Sequence, residues 1–171
     1  MLTDLQKEAL DRISEGHSLV LTGQAGTGES FLLKRAVHLL KQMKKCVSLL
    51  CTTGIGCLQY TDLNATTVHS WAGLQDGRYD NLTLKRLVLE DDRMANVRRN
   101  VEKTEAIFID EVSMLSRKDF EQLELVCRTV SNNDIYFGGL QVVACGDFYQ
   151  LLPVPNTLYG DLGQFCFESI I

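Results

Sequence analysis

Residues 18–30 read SLVLTGQAGTGES, and this stretch predicts both a fold and a site. The run that ends at Thr22 is apolar and typical of a buried strand, and a helix is predicted from about Ser30 to Met43. The loop between them has the spacing of a phosphate-binding loop, G-x-x-x-x-G-K-[ST], with Glu29 at the position of the Lys. The residues predicted to contact a bound nucleotide are Gly23, Gln24, Ala25, Gly26, Thr27, Gly28, Glu29 and Ser30.

The backbone of this loop explains its chemistry. Glycines let several N–H groups converge on a polyphosphate, and the following helix adds the positive end of its dipole. Ser30 stands where a hydroxyl ligates Mg²⁺. The alternative is a glycine-rich turn that only closes a strand–helix unit, but the neighbouring strand and helix favour a phosphate site.

Three further apolar runs, at residues 46–51, 106–109 and 140–145, each end at polar residues. Near-continuous apolar strands that alternate with helices predict a parallel sheet covered by helices on both faces. Ligands of such sheets bind at the carboxyl ends of the strands. The predicted fold class is therefore α/β, with every polar motif at one edge of the sheet.

Two carboxylates follow the run at residues 106–109. Asp110 is suited to hold the Mg²⁺ shell of a phosphoryl-transfer site, and Glu111 is suited to orient and deprotonate the attacking water. The alternative is that both cap the next helix, with Ser113 nearby. Gln150, after the last run, could reach the γ-phosphate, although a plain Gly-Asp turn is the other interpretation of that segment.

Composition narrows the class of protein. A chain of 171 residues with 45% apolar residues fits one domain, and residues 74–104 are rich in charge and predicted to be surface helix and loop. The net charge of −5 argues against holding DNA by bulk positive charge. Six cysteines without metal-ligand spacing predict reduced thiols, with Cys46, Cys51 and Cys145 in or beside buried strands. No apolar run approaches the length of a membrane span.

These motifs resemble those of a known family. The segments that resemble, in chain order, the motifs of Pif and RecD-like DNA helicases of superfamily 1B are residues 2–6, 23–30, 53–56, 67–70, 109–114 and 146–151. Residues 120–141 are similar to the Pif signature between the second and third motifs.

The resemblance implies a RecA-like lobe over residues 1–171, with ATP and Mg²⁺ as cofactors. Single-stranded DNA is the implied partner, in a groove shared with a second lobe that we do not expect in this chain. Gln6 is implied to read the adenine, and Gln150 is implied to couple the nucleotide to the DNA. The residues implied to lie along the DNA path are Thr53, Gly54 and His69.

Alternatives remain open for several of these residues. Gln6 has the spacing to complete a capping box with Thr3 instead, since one side chain can serve either role. His69 and Trp71 are either core-facing or near the DNA, where Trp71 would stack on a base.

Two functions are compatible with the sequence. One is the first motor lobe of a 5′-to-3′ DNA helicase, crippled because Glu29 puts a negative charge where a Lys would neutralise phosphates. The other is a degenerate nucleotide- or single-stranded-DNA-binding module without turnover. By resemblance we expect a monomer that acts in DNA repair, recombination or telomere maintenance, in the nucleus or alternatively the mitochondrion.

Overall fold

The computed structural model describes residues 1–23, 28–147, 149 and 153–168, apart from the side chain of Phe167. Within these ranges a single sheet contains five strands, all parallel, in the order β1-β5-β4-β2-β3. The strands are β1 (Leu19–Thr22), β2 (Val47–Cys51), β3 (Thr66–Thr67), β4 (Ala106–Asp110) and β5 (Gln141–Gly146). The predicted parallel α/β fold is confirmed.

Seven α-helices are present in the described part of the chain. They are α1 (Asp4–Ser14), α2 (Glu29–Gln42), α3 (Gly54–Cys57), α4 (Val68–Ala72), α5 (Asn81–Glu90), α6 (Ala95–Lys103) and α7 (Arg117–Ser131). At the start of α1, the backbone N–H of Gln6 donates to Thr3 Oγ1 at 3.2 Å, and the backbone N–H of Thr3 donates to Gln6 Oε1 at 3.0 Å. The predicted capping box is therefore formed.

Helices cover both faces of the sheet because alternate strand residues point to opposite sides. Phe108 belongs to one core with the apolar stripes of α1 and α2, whereas Ile107 and Ile109 belong to a second core with α4 to α7. All three strand residues are fully buried. The sheet is thus held rigidly from both sides, and its carboxyl edge is left to carry the loops. Within the described ranges, no helix combines the length and the apolar character needed to cross a lipid bilayer.

One sequence expectation about burial is incomplete, and another is wrong. Residues 74–104 are not only surface, since α5 and α6 bury Leu84, Val88 and Val97 in the second core. Their charges lie on the opposite faces of amphipathic helices. Cys46 is exposed because it precedes β2, although Cys51 and Cys145 are buried as expected, and all six thiols are free.

The strand ends align at one edge of the sheet. Thr22 of β1 pairs with Gly146 of β5, and Cys51 of β2 pairs with both Asp110 of β4 and Thr67 of β3. Five of the six sequence motifs lie at or just after these residues, and the motif at residues 2–6 lies at the start of α1. Parallel pairing therefore brings motifs that are far apart in the chain to a common rim.

Candidate active site

The described ends of the phosphate-binding loop are Gly23 and Gly28, and the predicted contacts Gln24, Ala25, Gly26 and Thr27 lie outside the described residues. Gly28 precedes the first turn of α2 with φ of 80°, in the left-handed region that favours glycine. A Cβ atom on Gly28 would lie 3.7 Å from Gln6 Nε2. Gln6 therefore lies against the loop while it also forms the capping box.

Glu29 is the first residue of α2, and it is partly buried. The pKa of the buried Cys145 thiol is raised mainly by burial, and further by the negative charges of Asp110 and Glu29. Both carboxylates thus lie close enough to Cys145 to act on it. The Glu29 carboxylate therefore lies near the carboxyl end of β5, the strand that contains Cys145.

Asp110 ends β4 with only 6% of its surface exposed. Its Oδ2 accepts hydrogen bonds from the Tyr60 hydroxyl at 2.6 Å and from Gln59 Nε2 at 3.2 Å, and its Oδ1 accepts one from the Glu111 N–H at 2.9 Å. Three donors therefore fix the orientation of this carboxylate. They also offset the cost of burying its charge.

Tyr60 connects Asp110 to the start of α2. Burial and the hydrogen bond to Asp110 raise the pKa of the Tyr60 hydroxyl well above its usual range, and an interaction with the Ser30 hydroxyl acts in the opposite direction. Lys34, one helical turn after Ser30, places its Nζ 5.3 Å from the centre of the Tyr60 ring. The two predicted Mg²⁺ ligands, Ser30 and Asp110, thus meet around one phenol.

Glu111 has a left-handed backbone, with φ of 55°. This conformation costs a non-glycine residue about 1–3 kcal/mol and is found most often at functional sites. The pKa of the Glu111 carboxyl is raised, first by burial and then by the charge of Asp110, while the nearby Thr52 hydroxyl opposes the shift. A carboxyl with a raised pKa is suited to accept a proton near neutral pH.

The turn after β2 packs beside Glu111. Thr53 caps α3, since its Oγ1 accepts a hydrogen bond from the Gly56 N–H at 3.0 Å. A Cβ atom on Gly56 would lie 3.4 Å from Glu111 Oε2 and 3.1 Å from Thr53 Oγ1. The small residue therefore leaves room for the Glu111 carboxylate, and Gly54, next to the cap, is exposed.

The donor set at this rim fits Mg²⁺. A serine hydroxyl and a carboxylate are hard oxygen donors, and Mg²⁺ usually takes one or two carboxylates together with phosphates and several waters. The Tyr60 hydroxyl donates to Asp110 and interacts with the Ser30 hydroxyl, so both oxygen donors lie beside one side chain. The residues present therefore suit the metal that the resemblance implies.

Thr53 and His69 line a cavity of about 360 Å³ outside the nucleotide rim. His69 Nε2 lies 3.1 Å from Asp119 Oδ2. The hydrogen bond to Asp119 raises the pKa of His69, against the effect of burial. Lys118 also borders the cavity, with its ammonium bound to the carbonyls of Gly77 and Tyr159.

Trp71 does not belong to an exposed surface. It is 4% exposed, and its indole N–H donates to Ser48 Oγ at 3.2 Å. Of the two alternatives for Trp71, the core-facing one is therefore confirmed and stacking on a base is wrong, because the ring is enclosed in the second core. His69, from the same helix, is partly exposed and remains available to a ligand.

The end of β5 is described only in part. Gln150 lies outside the described residues, as do Phe148, Leu151 and Leu152. Asp147 Oδ1 accepts a hydrogen bond from the Tyr149 N–H at 2.9 Å, which is the local pattern of an Asx turn. The role of Gln150 stays a prediction.

Sequence reasoning missed Gln59 and Tyr60. Both lie in the 3-10 helix at Leu58–Leu63, after the Thr-Gly turn, and no spacing rule connects them with Asp110. The only signal is a tyrosine between polar residues shortly after a strand end. Such a residue is more often a surface aromatic than a partner of a carboxylate 50 positions away.

The family model described as PIF1-like helicase matches residues 1–159 of the chain. The chain belongs to the PIF1-like helicase family. It is 36% identical over 164 residues to ATP-dependent DNA helicase Pif1 of Psychrobacter sp. (strain PRwf-1), covering 96% of this chain and 24% of that protein. It is 34% identical over 168 residues to human ATP-dependent DNA helicase PIF1, covering 98% of this chain and 24% of that protein. The chain thus spans about a quarter of the length of these curated PIF1 relatives.

Solved PIF1 structures share the fold. The Pif1 helicase from Candida albicans superposes with a TM-score of 0.84 at 32% identity, covering 99% of this chain and 37% of that one. The Bacteroides Pif1 helicase in complex with ADP-AlF3 and ssDNA gives a TM-score of 0.82 at 25% identity, covering 99% and 39%. The RecA-like fold extends to AMPPCP-bound DnaA from Aquifex aeolicus, with a TM-score of 0.52 at 15% identity, covering 86% and 40%.

Proposed function

We propose that this chain is the first ATP-binding lobe of a 5′-to-3′ DNA helicase, in which ATP hydrolysis drives movement along single-stranded DNA. The observation that carries the proposal is the convergence of Ser30, Asp110 and Glu111 at the carboxyl edge of the sheet. The curated relatives are named as ATP-dependent DNA helicases, and a Bacteroides relative was crystallised with ADP-AlF3 and ssDNA, which supports the same assignment.

Each residue of the rim has a chemical role in this proposal. Ser30 and Asp110 would hold Mg²⁺, which would neutralise charge on the phosphates. Glu111 orients the attacking water and accepts its proton, a task that its raised pKa favours. Gln6, which lies against Gly28, contacts the adenine through its side-chain amide.

The DNA path is proposed to pass the turn after β2. Thr53 caps α3, Gly54 begins it, and His69 borders the same cavity as Thr53. Because Asp119 pairs with His69 there, contact with phosphates would depend on the protonated form of the imidazole and on the backbone N–H groups of α3. A second RecA-like lobe, a monomeric state, and a nuclear or mitochondrial role in genome maintenance stay predictions from the resemblance.

Glu29 is proposed to weaken ATP binding and to slow hydrolysis severely. A Lys at this position would attract the β- and γ-phosphates and stabilise the transition-state charge, whereas a carboxylate repels both. The same residue favours a second candidate function, a nucleotide- or single-stranded-DNA-binding module without turnover. The two candidates differ in whether the native chain, completed by a second lobe, hydrolyses ATP.

Equilibrium binding of ATP to the full chain tests the proposed site. Isothermal titration calorimetry in the presence of magnesium chloride should show that the native chain binds ATP. Asp110→Ala should raise the dissociation constant for ATP at least tenfold, since the metal loses its carboxylate. Asp62→Ala is the matched control, because it removes an exposed acid from the 3-10 helix at Leu58–Leu63. Equal affinities of the native chain and Asp110→Ala for ATP would contradict the proposal.

A further inference from the structure

We propose that Tyr60 is a positioning residue, which uses its hydroxyl to hold Asp110 and Ser30 in the arrangement that binds Mg²⁺ with the nucleotide. The inference rests on the proposed function and assigns a role to a residue outside all of the sequence motifs. Ser30 and Asp110 supply the ligand oxygens of the proposed site, whereas Tyr60 would act only through them.

The first argument is the hydrogen bond between Tyr60 and Asp110. Its length of 2.6 Å is typical of a hydroxyl bound to a carboxylate, and the tyrosine is fully buried. A carboxylate has about four acceptor positions. Tyr60, Gln59 and the Glu111 N–H fill three of those on Asp110, which leaves about one direction for a metal or its water.

The second argument is the position of Tyr60 between two elements. It lies in the 3-10 helix after α3, yet its hydroxyl donates to Asp110 at the end of β4 and its ring lies under Lys34 of α2, one helical turn after Ser30. These two ligands are 80 positions apart in the chain and have no covalent reason to keep their spacing. A rigid aromatic ring with one polar atom can set this spacing with little loss of side-chain entropy.

The third argument is the support of the ring itself. Tyr60 packs in the core formed with α1 and α2, and Lys34 places its ammonium over the ring face at 5.3 Å. The ring is therefore fixed from the sides, so that its hydroxyl cannot turn away from Asp110. Outer-shell groups held in this way typically change metal affinity by roughly 10- to 100-fold when they are lost.

Tyr60→Phe removes only the hydroxyl and keeps the ring. The measurement is the affinity of the full chain for ADP, once with magnesium chloride and once with EDTA, in the native chain and in a Glu29→Lys parent. The ratio to compare is the dissociation constant in EDTA divided by the dissociation constant in magnesium chloride. We expect this ratio to fall by roughly 10-fold or more in Tyr60→Phe, whereas the affinity for metal-free ADP stays within about twofold. Tyr79→Phe, a partly buried tyrosine that packs against the other core, is the control.

The ratio separates positioning from a purely structural role. A structural effect lowers the melting temperature, or both ADP affinities together, and leaves the ratio unchanged, which would overturn the inference while the proposed function stands. A Glu29→Lys chain that binds no ADP at all would overturn both this inference and the proposed function. Gln59→Met, which removes the weaker donor at 3.2 Å, should lower the ratio in the same direction by less, and an unchanged ratio in both variants would also refute the role.

Discussion

Reversing the charge of Glu29 should strengthen nucleotide binding in two steps. Glu29→Gln removes one negative charge from the first turn of α2, and Glu29→Lys adds a positive one. Two unit charges about 4 Å apart interact by about 4 kcal/mol at an effective dielectric constant of 20, and solvent at this partly exposed side chain reduces that value. Taking about 1.4 kcal/mol per unit charge, the dissociation constant for ATP should fall about tenfold at each step.

Stability in the absence of nucleotide should change little. Glu29 interacts favourably with the helix N-terminus, by about 0.3–1 kcal/mol, and its replacement loses this contribution. Urea unfolding of the three forms should therefore agree within about 1 kcal/mol, so that a change in affinity cannot be attributed to folding.

The assay is isothermal titration calorimetry, in which ATP is added to each form of the chain in a buffer that contains magnesium chloride. The matched control is the same series at Glu102, an exposed residue of α6 that lies at the opposite, amino edge of the sheet. Affinity that rises equally in both series would reflect net charge alone. Affinity that stays constant from Glu29 through Gln to Lys would refute the argument that residue 29 faces the phosphates.

Three further predictions concern the cavity and the core. Protonated His69 stabilises the fold, because its hydrogen bond to Asp119 raises the pKa of the imidazole. This stabilisation is complete below about pH 6.5, and it is lost as the pH rises through the raised pKa of His69 in the folded chain. His69→Ala should therefore destabilise the chain more at about pH 5.5 than at about pH 8.5 in urea titrations, and an equal loss would contradict the pairing. Gly138→Ala should cost about 1–3 kcal/mol, because φ is +64° and the new Cβ would lie 2.6 Å from the Cys127 carbonyl oxygen; a neutral result in urea unfolding would show that the turn relaxes. Phe108→Ala should cost about 3–5 kcal/mol of unfolding free energy by the same method, since the ring is fully buried in the centre of the sheet, and a loss below about 1 kcal/mol would mean that this core can collapse.

The sheet could be predicted because its strands carry their signal in consecutive apolar residues. The runs at residues 18–22, 46–51, 106–109 and 140–145 coincide with β1, β2, β4 and β5 within one residue at every end. The remaining strand, β3 (Thr66–Thr67), leaves no signal in the sequence because two polar residues have no periodicity. It forms only through pairing with the edge of β2.

The candidate site was predictable only where backbone geometry dictates side-chain types. The left-handed φ of Gly28 favours glycine, and Asp110 ends an apolar strand, so the sequence pattern indicates both residues. Tyr60 and the left-handed conformation of Glu111 depend on contacts across the fold. The pairing of His69 with Asp119 likewise joins two helices whose approach no local pattern specifies.

The central claim is that the phosphate-binding loop and the acidic pair surround one triphosphate, and bound Mn²⁺ can test it directly. Mn²⁺ with ATP, added to isotope-labelled Glu29→Lys chain, broadens amide resonances steeply with decreasing distance from the metal. We predict the strongest broadening at Ser30, Asp110 and Glu111. Broadening centred instead on the cavity of about 390 Å³ at the opposite edge, near Gln141 and Glu105, would contradict the account.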